Sequence, residues 1–531
     1  MVLKGEKGLS RKFKAGTLAA VAVAMALSGC SGNGGSAESP APGAASAAAT
    51  AASSQPVEIK WMQYPAIFEK DSYGVKYMEE KFNVKLTHYS VSWEEAVQKQ
   101  QLQLATNDVP DVLFVNDPAN LFKYVSQGLI AEVKLEDIAK YMPRYKKKMD
   151  EYAPQAWAYS NYQGKNYGFP TFYWSGRFNA KTIWRADLLE KAGVAKIPET
   201  IDEYTTAFEA LKKIGVYGIS TNGKSYSSAF HTIFGAYGVM PMQWMLKDGK
   251  VVNGAVQPEA RAALEKLAQW YKAGYIEPDF ATGADLGAKF IAGKYALFDS
   301  GNPSMLDEAN PNSSYSSIKK LTPDGKLAVA PLPKGPEGKS GGWAWGGGGQ
   351  IWAFGKQVEK DPAKMAKVMQ IIEQIANDEQ TFIDLSLGVQ GKHWDYNDPA
   401  LKNEGGIKTL DPYKDKAKKQ AEGMSESFGV TLWSAQVNPD LFEKYTKKDT
   451  IELMKLYNAP LVDLFGKSDV LPSAGKYYAD LQKLKVETYA RIVMGEQPIT
   501  YFDSFVKKWE EIGGGILEQE ANEFYKNIGK K

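Results

Sequence analysis

Residues that could catalyse a reaction or bind a metal are few and scattered in this chain. Its only histidines are His88, His231 and His393, and none of them stands in an HExxH or comparable metal-binding spacing. No GxSxG, Walker A or dinucleotide-binding glycine pattern stands out either. A glycosidase needs two carboxylates at a defined separation, but no local motif singles out a pair among the 62 acidic residues. The sequence therefore predicts a protein that is not an enzyme and has no cofactor and no metal site.

Aromatic rings, by contrast, are abundant, with 13 Trp and 29 Tyr. A pyranose presents an apolar C–H face that stacks on such a ring and a rim of hydroxyls that Asp, Asn and Arg bond in pairs. Trp343 and Trp345 lie in the glycine-rich run 341–349, which offers little packing of its own and has the backbone freedom of a hinge. For any single Trp, packing in the core is the alternative.

The first 29 residues have the three parts of a secretory signal. Five basic residues precede an apolar stretch, Ala15 to Leu27, which is shorter than the roughly 20 residues that span a bilayer. Leu27 to Cys30 then resembles the lipobox of bacterial lipoproteins, in which the Cys thiol is acylated. Cys30 is the only cysteine of the chain, so the resemblance implies a lipid anchor on the outer face of the cell membrane and no disulfide.

Residues 30–56 are rich in Ala, Gly, Ser and Pro and predict a flexible tether after the anchor. The signal carries five basic and one acidic side chains, whereas the whole chain has a formal charge of +2, so the part from Cys30 onward carries a net −2. This charge argues against nucleic-acid binding. Since no second long apolar run exists, we expect contact with the membrane through the lipid alone.

The folded part shows the alternation of strands and helices that is typical of an open parallel sheet. Val57–Trp61 alternates with strand period, Val84–Leu86 repeats the signal, and Val112–Val115 is the continuous apolar run of a strand covered on both faces. Thr200 and Glu203 form a capping box that starts a helix to Lys213. A stripe from Phe502 to Trp509 predicts a helix near the C-terminus.

Four ordered stretches of the chain resemble the extracellular solute-binding proteins of sugar ABC transporters, the maltose-binding-like family 1. The first ends in Pro110-Asp111 before the strand Val112–Val115, and the last has an Ala-Pro-Leu-Pro sequence followed by a glycine run. The four stretches are residues 101–115, 178–204, 290–298 and 327–354. Their order and the long C-terminal part indicate the large Gram-positive members that bind oligosaccharides.

The resemblance implies a two-lobed periplasmic-binding-protein-like α/β fold (type II), with hinge-linked, discontinuous lobes and a helical C-terminal part. By analogy, lobe 1 comprises 57–172 plus 346–392, and lobe 2 comprises 173–345 plus 393–531. Ligands bind at the carboxyl ends of strands in open α/β sheets. The residues expected there or at the lobe crossings are Tyr64, Asn116, Asp117, Trp174, Arg177, Asp299, Asn302, Trp343, Trp345, Trp394 and Trp433. Asp117, which precedes Pro118, could equally be a turn or N-cap residue.

The partners implied are an oligosaccharide and the permease subunits of an ABC transporter, and the protein is expected to be a monomer. Some large relatives carry a Ca²⁺ loop after the helix that follows the crossover, but residues 212–222 contain no carboxylate, so no Ca²⁺ site is expected there. Two alternatives stay open. One is a secreted glycosidase or lyase, and the other is the same fold binding peptides or a uronate polyanion through Arg177, Arg185 and Lys165.

Overall fold

Two larger β-sheets organise the residues that the computed structural model describes, which are 55–63, 68–89, 91–92, 95–106, 108–172, 181–301, 303–306, 313–342, 348–402, 404–424, 438–456 and 470–527. The strands are β1 (Val57–Met62), β2 (Val84–His88), β3 (Val112–Val115), β4 (Asn161–Tyr162), β5 (Lys165–Asn166), β6 (Phe169–Phe172), β7 (Lys181–Arg185), β8 (Tyr217–Ser220), β9 (Trp244–Lys247), β10 (Lys250–Asn253), β11 (Tyr295–Gly301), β12 (Leu327–Ala330), β13 (Gly348–Phe354), β14 (Trp394–Tyr396) and β15 (Ile407–Thr409).

Helices separate most of these strands. The α-helices are Tyr73–Phe82, Ala96–Ala105, Pro118–Ser126, Leu135–Tyr141, Pro143–Tyr152, Ala186–Lys191, Ile201–Lys213, His231–Ala236, Pro258–Lys272, Leu286–Ile291, Ser314–Leu321, Pro362–Asn377, Glu379–Phe382, Lys416–Ala421, Pro439–Lys444, Lys448–Leu456, Ala474–Val493, Tyr501–Ile512 and Gly514–Asn527. Short 3₁₀ turns cover Pro154–Ser160, Gly254–Val256, Pro278–Ala281, Pro303–Leu306 and Lys356–Lys360, and a π turn covers Ile383–Leu387. Within the described ranges, none of the helices is both long and apolar enough to cross a membrane.

The first sheet has the strand order β2-β1-β3-β13-β6. Strands β1, β2 and β3 run parallel, with Val57 beside Val84 and Trp61 beside Val112, as their sequence pattern predicts. All four residues of β3 are fully buried, because helices cover both faces of a parallel sheet. Strand β13 returns from far along the chain and pairs antiparallel with both β3 and β6.

The second sheet has the order β12-β7-β11-β8, in which β8 and β11 run parallel and β7 runs opposite to its neighbours. Helix Ile201–Lys213 packs on it through Tyr204 and Phe208, whose rings contact Trp184 of β7. The predicted capping box starts this helix. The Glu203 N–H donates to Thr200 Oγ1 over 3.2 Å, and the Thr200 N–H donates to Glu203 Oε2 over 3.2 Å.

The C-terminal part divides between the two sheets. Its first half packs beside the helices of the first sheet, where the Gly74 N–H donates to the Glu422 carbonyl and Lys148 Nζ donates to Asn438 Oδ1. Its second half packs beside the second sheet, where the Tyr478 hydroxyl donates to the carbonyl of Met242. The sequence had assigned all of 393–531 to lobe 2. These contacts place Glu422 and Asn438 beside helices of the first sheet and Tyr478 beside the second, and the lobe boundaries stay predictions.

Candidate functional site

The residues predicted to contact a ligand fall into two groups. Four of them, Asn116, Asp117, Asp299 and Trp394, lie in the part of the chain that the structure describes. The others lie outside the described residues, namely Tyr64, Trp174, Arg177, Asn302, Trp343, Trp345 and Trp433, together with the lipidation residue Cys30. Their roles stay predictions.

Asn116 and Asp117 follow β3 at its carboxyl end. Asn116 is exposed. Asp117 caps helix Pro118–Ser126, since its Oδ1 accepts from the Asn120 N–H and its Oδ2 accepts from Asn120 Nδ2, both over 2.8 Å. Both carboxylate oxygens thus have protein partners, and the N-cap role that the sequence left open is the one observed.

Trp394 lies away from both large sheets. Its ring packs against Tyr396 and Tyr445 in a small apolar cluster, and its Nε1 donates to the carbonyl of Gly388 over 2.9 Å. Because the indole is buried and its only donor is occupied, the ring packs a core in this conformation.

Asp299 was expected to follow a strand that ends at Phe298, but β11 continues to Gly301 and places the side chain inside the fold. The register of β11 against β7 shifts between Phe298 and Gly301, which is the local irregularity that re-aims a side chain. The carboxyl group is fully buried beside His231, and desolvation raises the pKa of Asp299 to about 8.

Three amide side chains lie at one edge of the first sheet, of which the sequence predicted Asn116 and missed the other two. Gln63 follows β1, Asn116 follows β3, and Gln350 lies in β13, where its Nε2 donates to Asn116 Oδ1 over 3.4 Å. We call Gln63, Asn116 and Gln350 the amide row. The register of β13 against β6 also shifts here, between Gly348 and Ile351. In each sheet, therefore, a shift in strand register lies beside a buried polar residue, at the end of the sheet where a ligand is expected to bind.

Beneath the amide row lie three aromatic rings of the same sheet face. The ring of Trp352 lies 5.6 Å from that of Trp61 and 4.5 Å from that of Phe114, measured between centroids. Side chains two residues apart on a strand share a face, so these rings and the three amides lie on one face of the sheet. The strand register places Gln350 level with Asn116, and Gln63 level with Phe114. The rings are buried and fix the backbone from which the amides project.

At the corresponding edge of the second sheet lies Lys181, a second residue that the sequence analysis did not select. It begins β7 and pairs with Gly301, next to the end of β12. It is 1% exposed, and desolvation lowers the pKa of its amine to about 8. A cationic group therefore lies at the edge where the carboxyl ends of β8, β11 and β12 meet.

Of the three cations invoked for a uronate ligand, Arg185 and Lys165 have protein partners, and Arg177 lies outside the described residues. Arg185 is 2% exposed, binds Asp187 at 2.7 Å, and donates to the carbonyls of Phe290 and Ile291. Lys165 is exposed and pairs with Glu132 at 2.8 Å. Arg185 is thus a structural residue. Among the described residues, no group of three or more His, Cys, Asp or Glu side chains could hold a metal ion.

Known proteins resemble this chain over most of its length. Residues 72–391 match the family described as "Bacterial extracellular solute-binding protein". Among curated proteins, the chain is 24% identical over 500 residues to the polygalacturonan/rhamnogalacturonan-binding protein YtcQ of Bacillus subtilis (strain 168), across 88% of this chain and 91% of that protein. It is 23% identical over 456 residues to lipoprotein LipO of the same strain, across 81% and 84%.

Solved structures resemble this chain in their overall fold. The HMO-binding, ABC-transporter-associated solute-binding protein of Bifidobacterium longum infantis ATCC 15697 superposes with a TM-score of 0.65 over 90% of this chain and 100% of that chain. The two are 14% identical, so the likeness concerns the fold alone. It confirms the two-lobed α/β fold that the sequence predicted.

Proposed function

The chain belongs to the family of bacterial extracellular solute-binding proteins, and from this premise we propose that it captures an oligosaccharide between its two lobes and delivers it to the permease of an ABC importer. The observation that carries the proposal is the family match over residues 72–391, which extends into an alignment with nearly the whole of YtcQ. The names of YtcQ and of the Bifidobacterium protein both describe glycan binding, which supports a glycan as the cargo here.

The two sheet edges supply the chemistry for such a cargo. The amide row of the first sheet offers uncharged donors and acceptors, and Lys181 offers a cation at the second. The aromatic residues predicted from the sequence, Trp174, Trp343 and Trp345 foremost, would add the ring faces on which a pyranose stacks. Closure of the lobes about their hinge would bring the two edges onto the ligand.

We also propose that the protein is a monomeric lipoprotein, cleaved before Cys30 and held at the outer face of the cell membrane by that residue. The lipobox-like sequence Leu27 to Cys30 and the name of its relative LipO support this proposal. Two acyl chains give stable anchoring where one would be marginal. The tether 30–56 would let the folded part reach a permease in the same membrane.

A thermal-shift screen tests the cargo. The panel would contain oligogalacturonides, rhamnogalacturonan fragments, and neutral oligosaccharides such as galactotriose, xylotriose and human-milk tetrasaccharides. A ligand at 100 times its Kd adds about 2.7 kcal/mol to the free energy of unfolding, so a true ligand should raise the melting temperature measurably. If no oligosaccharide of the panel does so while a peptide library does, the cargo is a peptide and the proposal fails.

The same ligands distinguish a binding protein from the carbohydrate-active enzyme. After overnight incubation with the protein, chromatography should return each bound oligosaccharide at its original length. Appearance of shorter fragments or of unsaturated products would instead indicate a glycosidase or lyase, and would contradict the proposal.

A further inference from the structure

We propose that the amide row, Gln63, Asn116 and Gln350, is a subsite that holds hydroxyl groups of a sugar ring and not its carboxylates. This inference rests on the proposed function, because it assigns part of the cleft to one chemical feature of the cargo. It concerns residues at the edge of the first sheet that no sequence motif selects.

The orientation of the Gln63 amide is determined by its neighbour. Trp61 Nε1 donates to Gln63 Oε1 over 2.7 Å, and an indole N–H can only donate, so the oxygen must face the ring. The amide nitrogen therefore points the other way. Gln63 is 1% exposed, and its Nε2 has no hydrogen-bond partner among the described residues. Gln63 thus presents a buried donor.

Gln350 is the complementary group. Its Nε2 donates to Asn116 Oδ1, and its Oε1 is buried with no hydrogen-bond partner within the described part of the chain. The backbone beside it is held, because Thr171 Oγ1 donates to the Gln350 carbonyl over 3.1 Å. Gln350 thus presents a buried acceptor on the same face of the sheet as the buried donor of Gln63.

Buried polar groups ordinarily find partners within the protein, whereas Gln63 and Gln350 hold a complementary donor and acceptor without one on the same sheet face. Leaving them unpaired lowers the stability of the folded protein, a cost that natural proteins retain mainly where function needs it. The aromatic rings below the row are well packed, so poor packing of the sheet does not account for the unpaired atoms. A ligand that supplies both partners does.

The pairing also selects the ligand group. A hydroxyl both donates and accepts, so a pair of ring hydroxyls satisfies the donor of Gln63 and the acceptor of Gln350 together. An ionised carboxylate only accepts, and at this row it would set its oxygens against Gln350 Oε1. If the cargo is a polyuronide, its carboxylates lie away from the row. Both amide atoms are shielded in the described conformation, and opening of the lobes is the step that admits the sugar.

The experiment compares two variants with the parent by titration calorimetry. Gln350→Met removes the acceptor, and Gln63→Glu keeps the acceptor for Trp61 but removes the donor. Gln98→Glu, at an exposed position of helix Ala96–Ala105, adds the same charge to the same lobe as a control. The probes are trigalacturonic acid, its methyl ester and galactotriose, together with the best oligosaccharide of the screening panel. The first three probes share the ring hydroxyls and differ only in the carboxyl group.

We expect Gln350→Met and Gln63→Glu to weaken each probe that the parent binds by about three- to tenfold. For Gln350→Met, which adds no charge, the factor should be the same for acid and ester within twofold. Gln98→Glu should bind like the parent. Gln350→Met should also melt at a higher temperature than the parent, because it removes an unpaired buried atom. A residue with only a structural role would instead lower the melting temperature on substitution.

Three outcomes would overturn the inference. If affinity is unchanged in both variants, the amide row is not a subsite, and the proposed function is unaffected. A loss in Gln350→Met that is confined to the acid, and absent for the ester, places a carboxylate at the row. If the parent binds no oligosaccharide of the panel, both the proposed function and the subsite are refuted.

Discussion

Where helix His231–Ala236 packs against β11 of the second sheet, His231 Nδ1 and Asp299 Oδ2 lie 3.9 Å apart, and neither atom has a hydrogen-bond partner among the described residues. Both side chains are buried. Because burial disfavours the charged form of each group, it raises the pKa of Asp299 to about 8 and lowers that of His231 to about 4. Near pH 6 the pair is therefore a neutral acid beside a neutral imidazole.

Asp299→Asn should change how stability depends on pH. In the parent, the folded state keeps a proton on Asp299 that the unfolded chain releases above about pH 4, so Asp299 by itself lowers stability as the pH rises from about 4 to 8. The lowered pKa of His231 acts in the opposite direction up to about pH 6.5, and it is present in both proteins. The slope is on the order of 1 kcal/mol per pH unit. Asn stays neutral, so urea unfolding of the variant should lose less stability between pH 5 and pH 8. The exposed control Asp324→Asn should follow the parent, and parallel curves for parent and Asp299→Asn would refute the assignment.

Lys485→Met should stabilise the protein at neutral pH. Lys485 lies on helix Ala474–Val493, 2% exposed, in a cavity lined by Phe230, Phe280 and Tyr489, with its Nζ 4.7 Å from the centre of the Tyr489 ring. Desolvation lowers the pKa of the amine to about 7. The unfolded chain holds the proton up to about pH 10, so the parent gains stability as the pH rises from 7 to 10.

The Met variant has no such penalty, so its advantage in urea midpoint should be largest near pH 6 and shrink toward pH 10. The matched control is Lys483→Met on the same helix, where the side chain is exposed. A Lys485→Met protein that is less stable than the parent at pH 6 would mean that the amine has a stabilising partner.

Trp343→Ala or Trp345→Ala should weaken oligosaccharide binding by at least tenfold at one of the two positions. A stacked ring contributes about 0.5–1.5 kcal/mol beyond its buried area between aromatic partners, a sugar face should gain a comparable amount, and the ring also loses its contact area. Calorimetry with the best ligand of the panel measures the change, and the melting temperature serves as the control for folding. Parent-like binding in both variants would assign these rings to packing.

Cys30→Ala should abolish lipid attachment. The protein would then be released or remain as an uncleaved precursor, because the residue that is acylated and marks the cleavage site is gone. Labelling cells with a radioactive fatty acid and fractionating them measures both effects. Label that still appears on the Ala variant would contradict the lipobox assignment.

The sheet and helix framework could be predicted because its signals are local. The apolar run Val112–Val115, the alternation of Val57–Trp61 and the capping box at Thr200 each occupy a few residues, and each appears where it was predicted. The C-terminal assignment was harder. Helical periodicity indicates that a segment packs, but not which of two sheets it packs against, so the assignment of 393–531 to lobe 2 stays a prediction.

The candidate site was predictable only in part, because its geometry depends on pairing between distant strands. Asn116 was selected since it directly follows a recognisable strand. Gln63 and Gln350 were not, because glutamine has no motif and their proximity to Asn116 depends on the positions of β1 and β13 beside β3. Asp299 was selected for the right strand end, but the strand continues three residues further and buries it.

Strand β13 also determines the order in which the two sheets can form. It lies between β3 and β6, so these neighbours stay unconnected until residues 348–354 are available. The second sheet draws all its strands from residues 181–330, with shorter loops to close. In a chain that emerges from its N-terminus, the half that appears first is therefore completed last, and its exposed strand edges must remain unpaired meanwhile.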